Sequence, residues 1–208
     1  LPRPCLALLA DRFTQADRAT RTIKAVQSGI RWVHLRDHDA GPDAFDDAAA
    51  RLVERLRTIA PDVRITINTH LDVASHLDLG LHVGRRGPSP DVARALLGED
   101  ALIGYSAHGN LDVIPQRSKA VDYYFFSPVF PTPSKPDHPG AGLSALRSFC
   151  QAAESVPVVA LGGITPERVA PCRNAGAWGV AVLSGILDAP APSAATRAYL
   201  RALATPTR

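Results

Sequence analysis

A closed (β/α)8 TIM barrel is the fold class that this sequence predicts, on three observations. Short apolar, β-branched segments alternate from end to end with amphipathic segments rich in alanine and arginine, the pattern of parallel strands joined by crossover helices. The alternation repeats eight times within 208 residues, and eight strand-then-helix units close into a barrel that commonly takes about 200 to 250 residues. The first strand runs into Ala10-Asp11-Arg12-Phe13, not into the glycine-rich turn that an open dinucleotide-binding sheet places there. One barrel domain over residues 1–208 is therefore expected.

Taken in order, strands are expected at Cys5–Leu9, Trp32–Arg36, Arg64–Asn68, Leu81–Val83, Leu102–Ser106, Tyr123–Phe126, Val158–Leu161 and Gly179–Val182. The helices between and after them are expected at Asp17–Ser28, Ala44–Ile59, His70–Leu77, Pro90–Leu97, Asn110–Arg117, Leu143–Ala153, Glu167–Ala175 and Ser193–Leu203. Gly29 and Gly176 suit helix ends, where a left-handed residue stops the chain. Thr165-Pro166-Glu167 reads as a capping threonine before a proline suited to the first helical turn. The long irregular stretch is Ser127 to Gly142, rich in proline and placed after the sixth strand, where such connections often serve as lids or binding loops.

Composition excludes several classes of function. Hydrophobic residues make up 46% and charged residues 21%, which matches a globular chain and not a disordered one. No apolar run approaches the roughly 18 to 20 residues of a membrane span. The net charge is only +3, and arginines scattered along helices make no basic tract for nucleic acid. Cys5, Cys150 and Cys172 are odd in number and widely spaced, so reduced thiols in a cytoplasmic protein are expected. The sequence contains no methionine and no leader-like segment in the residues given, which fits a processed N-terminus and no secretory signal. Tight metal-ligand spacing is missing, so no metal site is expected from the histidines.

The period of two along a strand converts these segments into a map. If Val33 and Leu35 meet the helices, Trp32, His34 and Arg36 point inward; Thr66 and Asn68, His82, Gly104 and Ser106 follow by the same rule. Polar groups converging at strand C-termini mark a wet, ligand-binding mouth. His34, His38, His70, His108 and His138 fall at or near expected strand ends.

Two loops suit an anion. Gly162-Gly163 follows the seventh strand and Leu183-Ser184-Gly185 the eighth, the places where barrels of this kind often cradle phosphate with backbone N–H groups. The loop after strand six adds the hydroxyls of Thr132 and Ser134 and the ammonium of Lys135 on a proline-stiffened backbone.

His34-Leu35-Arg36, Ile67-Asn68, Gly80-Leu81-His82-Val83-Gly84, Ile103 through His108, Pro128 through Lys135, Val158 through Ile164 and Ala175 through Ser184 resemble the thiamine phosphate synthase and TenI superfamily, in order along nearly the whole chain. The resemblance implies a barrel that binds a thiazole phosphate. In the synthase it is joined to a pyrimidine methyl diphosphate with magnesium assisting; in TenI-type relatives a carboxythiazole phosphate is tautomerised. It also implies that Arg36, Asn68, Ser106 and Lys135 meet the diphosphate. Thr132, Ser134, Gly163, Leu183 and Ser184 then surround the thiazole phosphate, with Gly162 beside them.

Departures from that pattern shape the functional expectation. Thr69 and the Arg85-Arg86-Gly87 run stand where the synthase pattern carries aspartates, His38 stands for a lysine, and Pro128 for the histidine of TenI-type enzymes. Magnesium favours carboxylate oxygens. The expectation is accordingly a metal-independent, TenI-like tautomerisation with no cofactor, its proton carried by His108, His38 or His34, since imidazole titrates near neutral pH. The alternatives are a divergent thiamine phosphate synthase, for which magnesium would be the cofactor, and a non-catalytic regulatory protein that binds thiazole or thiamine phosphate. The expected partner is a small phosphorylated thiazole or pyrimidine, with no nucleic acid and no membrane; a homo-oligomer is left open.

Overall fold

The structure, a computed structural model, describes Leu1, Arg3 and residues 5–107 and 119–206. Eight parallel strands close in sequence order into a barrel: β1 (Cys5–Asp11), β2 (Trp32–Arg36), β3 (Arg64–Asn68), β4 (Gly80–Val83), β5 (Ile103–Ala107), β6 (Tyr123–Phe126), β7 (Val158–Leu161) and β8 (Gly179–Val182). Around it lie α1 (Ala16–Gln27), α2 (Pro42–Ile59), α3 (Leu71–His76), α4 (Pro90–Leu97), α5 (Gly142–Ala152), α6 (Pro166–Asn174), α7 (Ser184–Leu187) and α8 (Pro192–Ala204). All eight strands stand where the sequence predicts them. The helix expected at Asn110–Arg117 lies outside the described residues.

Three details differ from expectation. Strand β1 runs on to Asp11, because that residue pairs with Arg36 across the β1–β2 ladder. The short α7 follows β8 directly, where the sequence read only as a loop. Thr165 sits at the start of α6 without capping it; its hydroxyl is engaged by the Glu167 carboxylate instead.

Alternation along the strands divides the apolar residues into two cores. Leu6, Leu8, Val33, Leu35, Ile65, Ile67, Leu81 and Val83 face the helices, whereas Cys5, Ala7, Leu9, Trp32, Tyr123, Phe125, Val159 and Ala181 fill the barrel. Trp32 meets Tyr123 edge to face, with ring centroids 4.7 Å apart, an arrangement that adds about 1 kcal/mol beyond area burial. Gly104 makes room for this packing, since a Cβ there would lie 2.1 Å from Tyr123 Cζ and 2.4 Å from His82 Nδ1. These rings fill the lower barrel beneath the C-terminal rim.

Arg94 on α4 fixes the way into β5. Its guanidinium donates to the carbonyls of Gly98, Glu99, Ala101 and Ala120 and to Asp122 Oδ2 at 2.7 Å, and the same carboxylate oxygen accepts Ile103 N–H at 2.7 Å. Charge-assisted bonds contribute about 1.5 to 3 kcal/mol each, and an orphaned partner costs more than a replaced one. Arg94→Ala is expected to lower the urea midpoint with an unchanged m-value, corresponding to a loss of about 2 to 3 kcal/mol; a loss below about 0.5 kcal/mol would make the network incidental.

Candidate active site

The rim holds a cavity of about 110 Å³. Of the residues singled out from the sequence, Arg36, Thr132, Ser134, Lys135, Gly162, Gly163, Leu183 and Ser184 all line it. They come from the ends of β2, β7 and β8 and from the loop after β6. A second cavity of about 480 Å³ opens beside the first and shares Arg36, Ser134, Leu183 and Ser184 with it; His38 lines this outer space. Asn68 and Ser106 lie at the ends of β3 and β5 and line neither cavity. His34 is buried beneath the rim at 2% exposure. His108 falls outside the described residues.

The glycine loop has a backbone reason to be glycine. Gly162 and Gly163 have φ of +96° and +62°, in the left-handed region, and Cβ atoms there would lie 2.6 Å from Pro128 Cβ and 2.4 Å from Pro131 O. The loop after β6 is laid directly on it: Val129 N–H donates to Leu161 O at 2.9 Å and Phe130 N–H to Gly162 O at 3.1 Å. Arg168, from the first turn of α6, donates to Gly163 O at 2.6 Å and lies over the Phe130 ring at 4.5 Å, which ties both loops together. Tyr199 of α8 donates to Ile164 O at 2.8 Å. On the far side, Ser184 and Gly185 open α7, and the first N–H groups of a helix have no intrahelical acceptor.

Two cations face this space. Arg36 is oriented by Asp11, which accepts from its Nε at 2.8 Å and its Nη2 at 2.7 Å. Burial, and then the nearby Arg36 charge, lower the Lys135 pKa below the ordinary lysine range. An acceptor-only, doubly charged group is what such a pair of cations and loop amides complements.

Beneath the rim, Ser106 and His34, both expected as site residues from the sequence, have buried polar partners in His82, Tyr123 and Thr66 that were not among those expected. His82 Nε2 is 2.8 Å from Ser106 Oγ and its Nδ1 is 3.0 Å from the Tyr123 hydroxyl. Thr66 Oγ1 accepts Trp32 Nε1–H at 3.1 Å and stands 3.1 Å from His34 Nδ1. Burial lowers the His34 pKa well below its usual range, reinforced by His82, Arg36 and His38, so its ring is neutral near pH 7. The inward direction of His82 was legible from strand period; its partners come from strands that only barrel closure brings together.

The donor set does not suit a magnesium ion at the place the sequence resemblance implies. Thr69, Arg85 and Arg86 supply no carboxylate there. Of the acids at or near the rim, Asp11 is engaged by Arg36, Asp37 by Thr14 and Asp188 by Arg18, and Asp39 also lines the outer cavity. Among the described residues no group of three or more histidines, cysteines or acids is placed to hold a metal.

Gly163→Ala is expected to weaken inorganic phosphate by more than about tenfold in calorimetry, with a loss of stability of about 1 to 2 kcal/mol for the left-handed backbone; unchanged binding would remove this loop from the site. Anion affinity should also fall as pH rises through the lowered Lys135 pKa, because only the ammonium attracts the ligand. That fall comes at lower pH than for an ordinary lysine and is absent in Lys135→Met. A flat profile in the unsubstituted protein would contradict it.

With this geometry in place, comparison with known proteins is specific. The family model described as thiamine monophosphate synthase matches residues 6–186. The thiamine-phosphate synthase of Syntrophomonas wolfei subsp. wolfei is 39% identical over 188 residues, 88% of each chain. That of Roseiflexus castenholzii is 34% identical over 201 residues, 94% of this chain and 86% of the relative. In fold, the thiamine phosphate pyrophosphorylase from Pyrococcus furiosus superposes with a TM-score of 0.79 at 24% identity, covering 96% of this chain and 95% of that one. No helix among the described residues is long and apolar enough to cross a membrane. The chain belongs to the thiamine monophosphate synthase family.

Proposed function

We propose that this chain is an enzyme of thiamine biosynthesis that couples a pyrimidine methyl diphosphate to a thiazole phosphate. The observation that carries the reading is the convergence of Arg36 and Lys135 with the Gly162-Gly163 and Leu183-Ser184 loops on one rim cavity. The relatives named thiamine-phosphate synthase favour it over the tautomerase expected from the sequence departures. In this reading the thiazole phosphate sits against Gly163, Ser184, Thr132 and Ser134, and the diphosphate against Arg36, Lys135, Ser106 and Asn68.

The chemistry follows from where charge develops. The thiazole nitrogen forms a bond to the pyrimidine methylene carbon while the bond from that carbon to the diphosphate oxygen breaks, and pyrophosphate carries away the electron pair. Negative charge grows on the departing oxygen, and preorganised cations stabilise it more than they stabilise the ground state. Asp11 holds the Arg36 guanidinium in one orientation before the substrate arrives, which reduces reorganisation.

Tautomerisation of a carboxythiazole phosphate is the second reading, and one observation favours it: His38 lines the outer cavity that shares Ser134 and Ser184 with the inner one. One experiment separates the two. Purified protein given both half-molecules should release thiamine phosphate and pyrophosphate, with Arg36→Ala or Lys135→Ala lowering kcat/KM by about 100-fold. Absence of coupling, together with isomerisation of the carboxythiazole phosphate that His38→Ala abolishes, would replace the first reading by the second.

A further inference from the structure

The residues read as diphosphate contacts lie along one arc of the ring. Arg36 ends β2, Asn68 ends β3, Ser106 lies near the end of β5, and Lys135 belongs to the loop after β6. Strand β4 stands between β3 and β5 in the closed order, with His82 opposite Asn68 on one side and Gly104 on the other. It is the one strand of the arc with no contact assigned, and the chain leaves it through Gly84-Arg85-Arg86-Gly87.

That segment is a tight turn seated on its neighbours. Gly87 N–H donates to Gly84 O at 2.9 Å, which makes Arg85 and Arg86 the two central residues. Gly84 lies alongside Ser106, since a Cβ on it would be 3.7 Å from Ser106 Cβ and 3.9 Å from its Oγ. Gly87 rests on Thr69, where an added Cβ would come within 2.6 Å of Cγ2, and Thr69 N–H in turn donates to His82 O at 2.9 Å. The backbone of the turn is thus fixed between the ends of β3 and β5, while both arginines are exposed.

Charge sets these two arginines apart. Arg18, Arg21, Arg31, Arg36 and Arg94 each meet a carboxylate, whereas Arg85 and Arg86 meet none among the described residues. Neighbouring like charges repel, and a bound anion relieves that repulsion. A diphosphate, for its part, carries more charge than Lys135 and an Arg36 shared with Asp11 can offset. A magnesium ion would bring the difference only where oxygen ligands, carboxylates above all, hold it, and neither Thr69 nor the Gly84–Gly87 turn has a carboxylate. Guanidinium supplies charge without that demand and grips phosphate oxygens with paired N–H groups.

We propose that Arg85 and Arg86 bind the diphosphate from the β4 side and supply the countercharge that a divalent ion would otherwise bring. In the coupling reaction proposed above, on which this rests, the carbon–oxygen bond breaks and its electron pair leaves with pyrophosphate. The two guanidinium groups, together with Arg36 and Lys135, meet the charge that grows on that leaving group.

Calorimetry with inorganic pyrophosphate in buffer containing EDTA tests this. The unsubstituted protein should bind, and magnesium added in chelator-free buffer should not tighten binding. Arg85→Ala and Arg86→Ala should each weaken it about tenfold and the double variant about 100-fold. Thiazole phosphate affinity and the urea midpoint should stay unchanged in all three, since neither arginine belongs to the core. Coupling of the two half-molecules by the unsubstituted protein should persist in EDTA. Pyrophosphate affinity indifferent to both substitutions, an equal loss of thiazole phosphate affinity, or binding or coupling seen only with magnesium would overturn the proposal. Failure of the underlying reading looks different: pyrophosphate that binds neither with nor without magnesium, or that binds Arg36→Ala with undiminished affinity, overturns the diphosphate placement and the inference with it.

Discussion

Pairing of β1 with β8 is the constraint from which the other features of the molecule follow. The register Cys5 to Gly179 through Leu8 to Val182 turns a ribbon of eight strands into a ring, and only a ring gives alternate residues an interior to fill. Gly179 permits that approach: a Cβ there would sit 2.2 Å from Cys5 O. Once the ring is closed, Trp32, Tyr123 and Phe125 occupy its lower volume. Residues one inward step further along the strands are thereby lifted to the rim, where the loops after β6, β7 and β8 meet them.

The same closure explains how a weakly charged chain builds a strongly anion-directed mouth. A net charge of +3 spread over 208 residues gives no long-range field of consequence. Locally, however, Arg36 and Lys135 share one small cavity with loop amides on two sides. Lys135 registers its partial burial, and then that crowding, as a lowered pKa. Asp11 takes part of the Arg36 charge while fixing its direction. Asp37 and Asp188 are similarly tied, to the Thr14 hydroxyl and the Arg18 guanidinium. Behind the loops, Arg168 and Tyr199 hold the carbonyls of Gly163 and Ile164, which fixes the orientation of those peptide units.

Much of this was legible in the sequence because strand period is a local signal. The eight strands and the inward set Trp32, His34, Arg36, Thr66, His82 and Ser106 all follow from alternation, and so did the two glycine loops by their place after β7 and β8. What escaped notice depends on pairs of residues far apart in the chain. Asp11 gains its meaning only from standing opposite Arg36 in the β1–β2 register. Tyr123 reads as one more apolar strand residue until the ring places its hydroxyl against His82. Arg168 looks like an exposed helical arginine until Phe130 is laid beside it. The Thr165 cap was a misreading of a different kind, a local motif overridden by a closer local partner, Glu167.

The claim at the centre of this account is that the β7 and β8 loops hold the phosphate of one substrate while the Arg36–Lys135 pair holds the diphosphate of the other. A crystal structure of the protein with thiamine phosphate and pyrophosphate tests it most directly. The account predicts the ester phosphate between the backbone N–H groups of Gly163 and Ser184, and pyrophosphate against Arg36 and Lys135 with the Ser106 hydroxyl donating to it. Phosphate groups bound away from both loops, or a ligand seated with its phosphate in the outer cavity beside His38 alone, would contradict it.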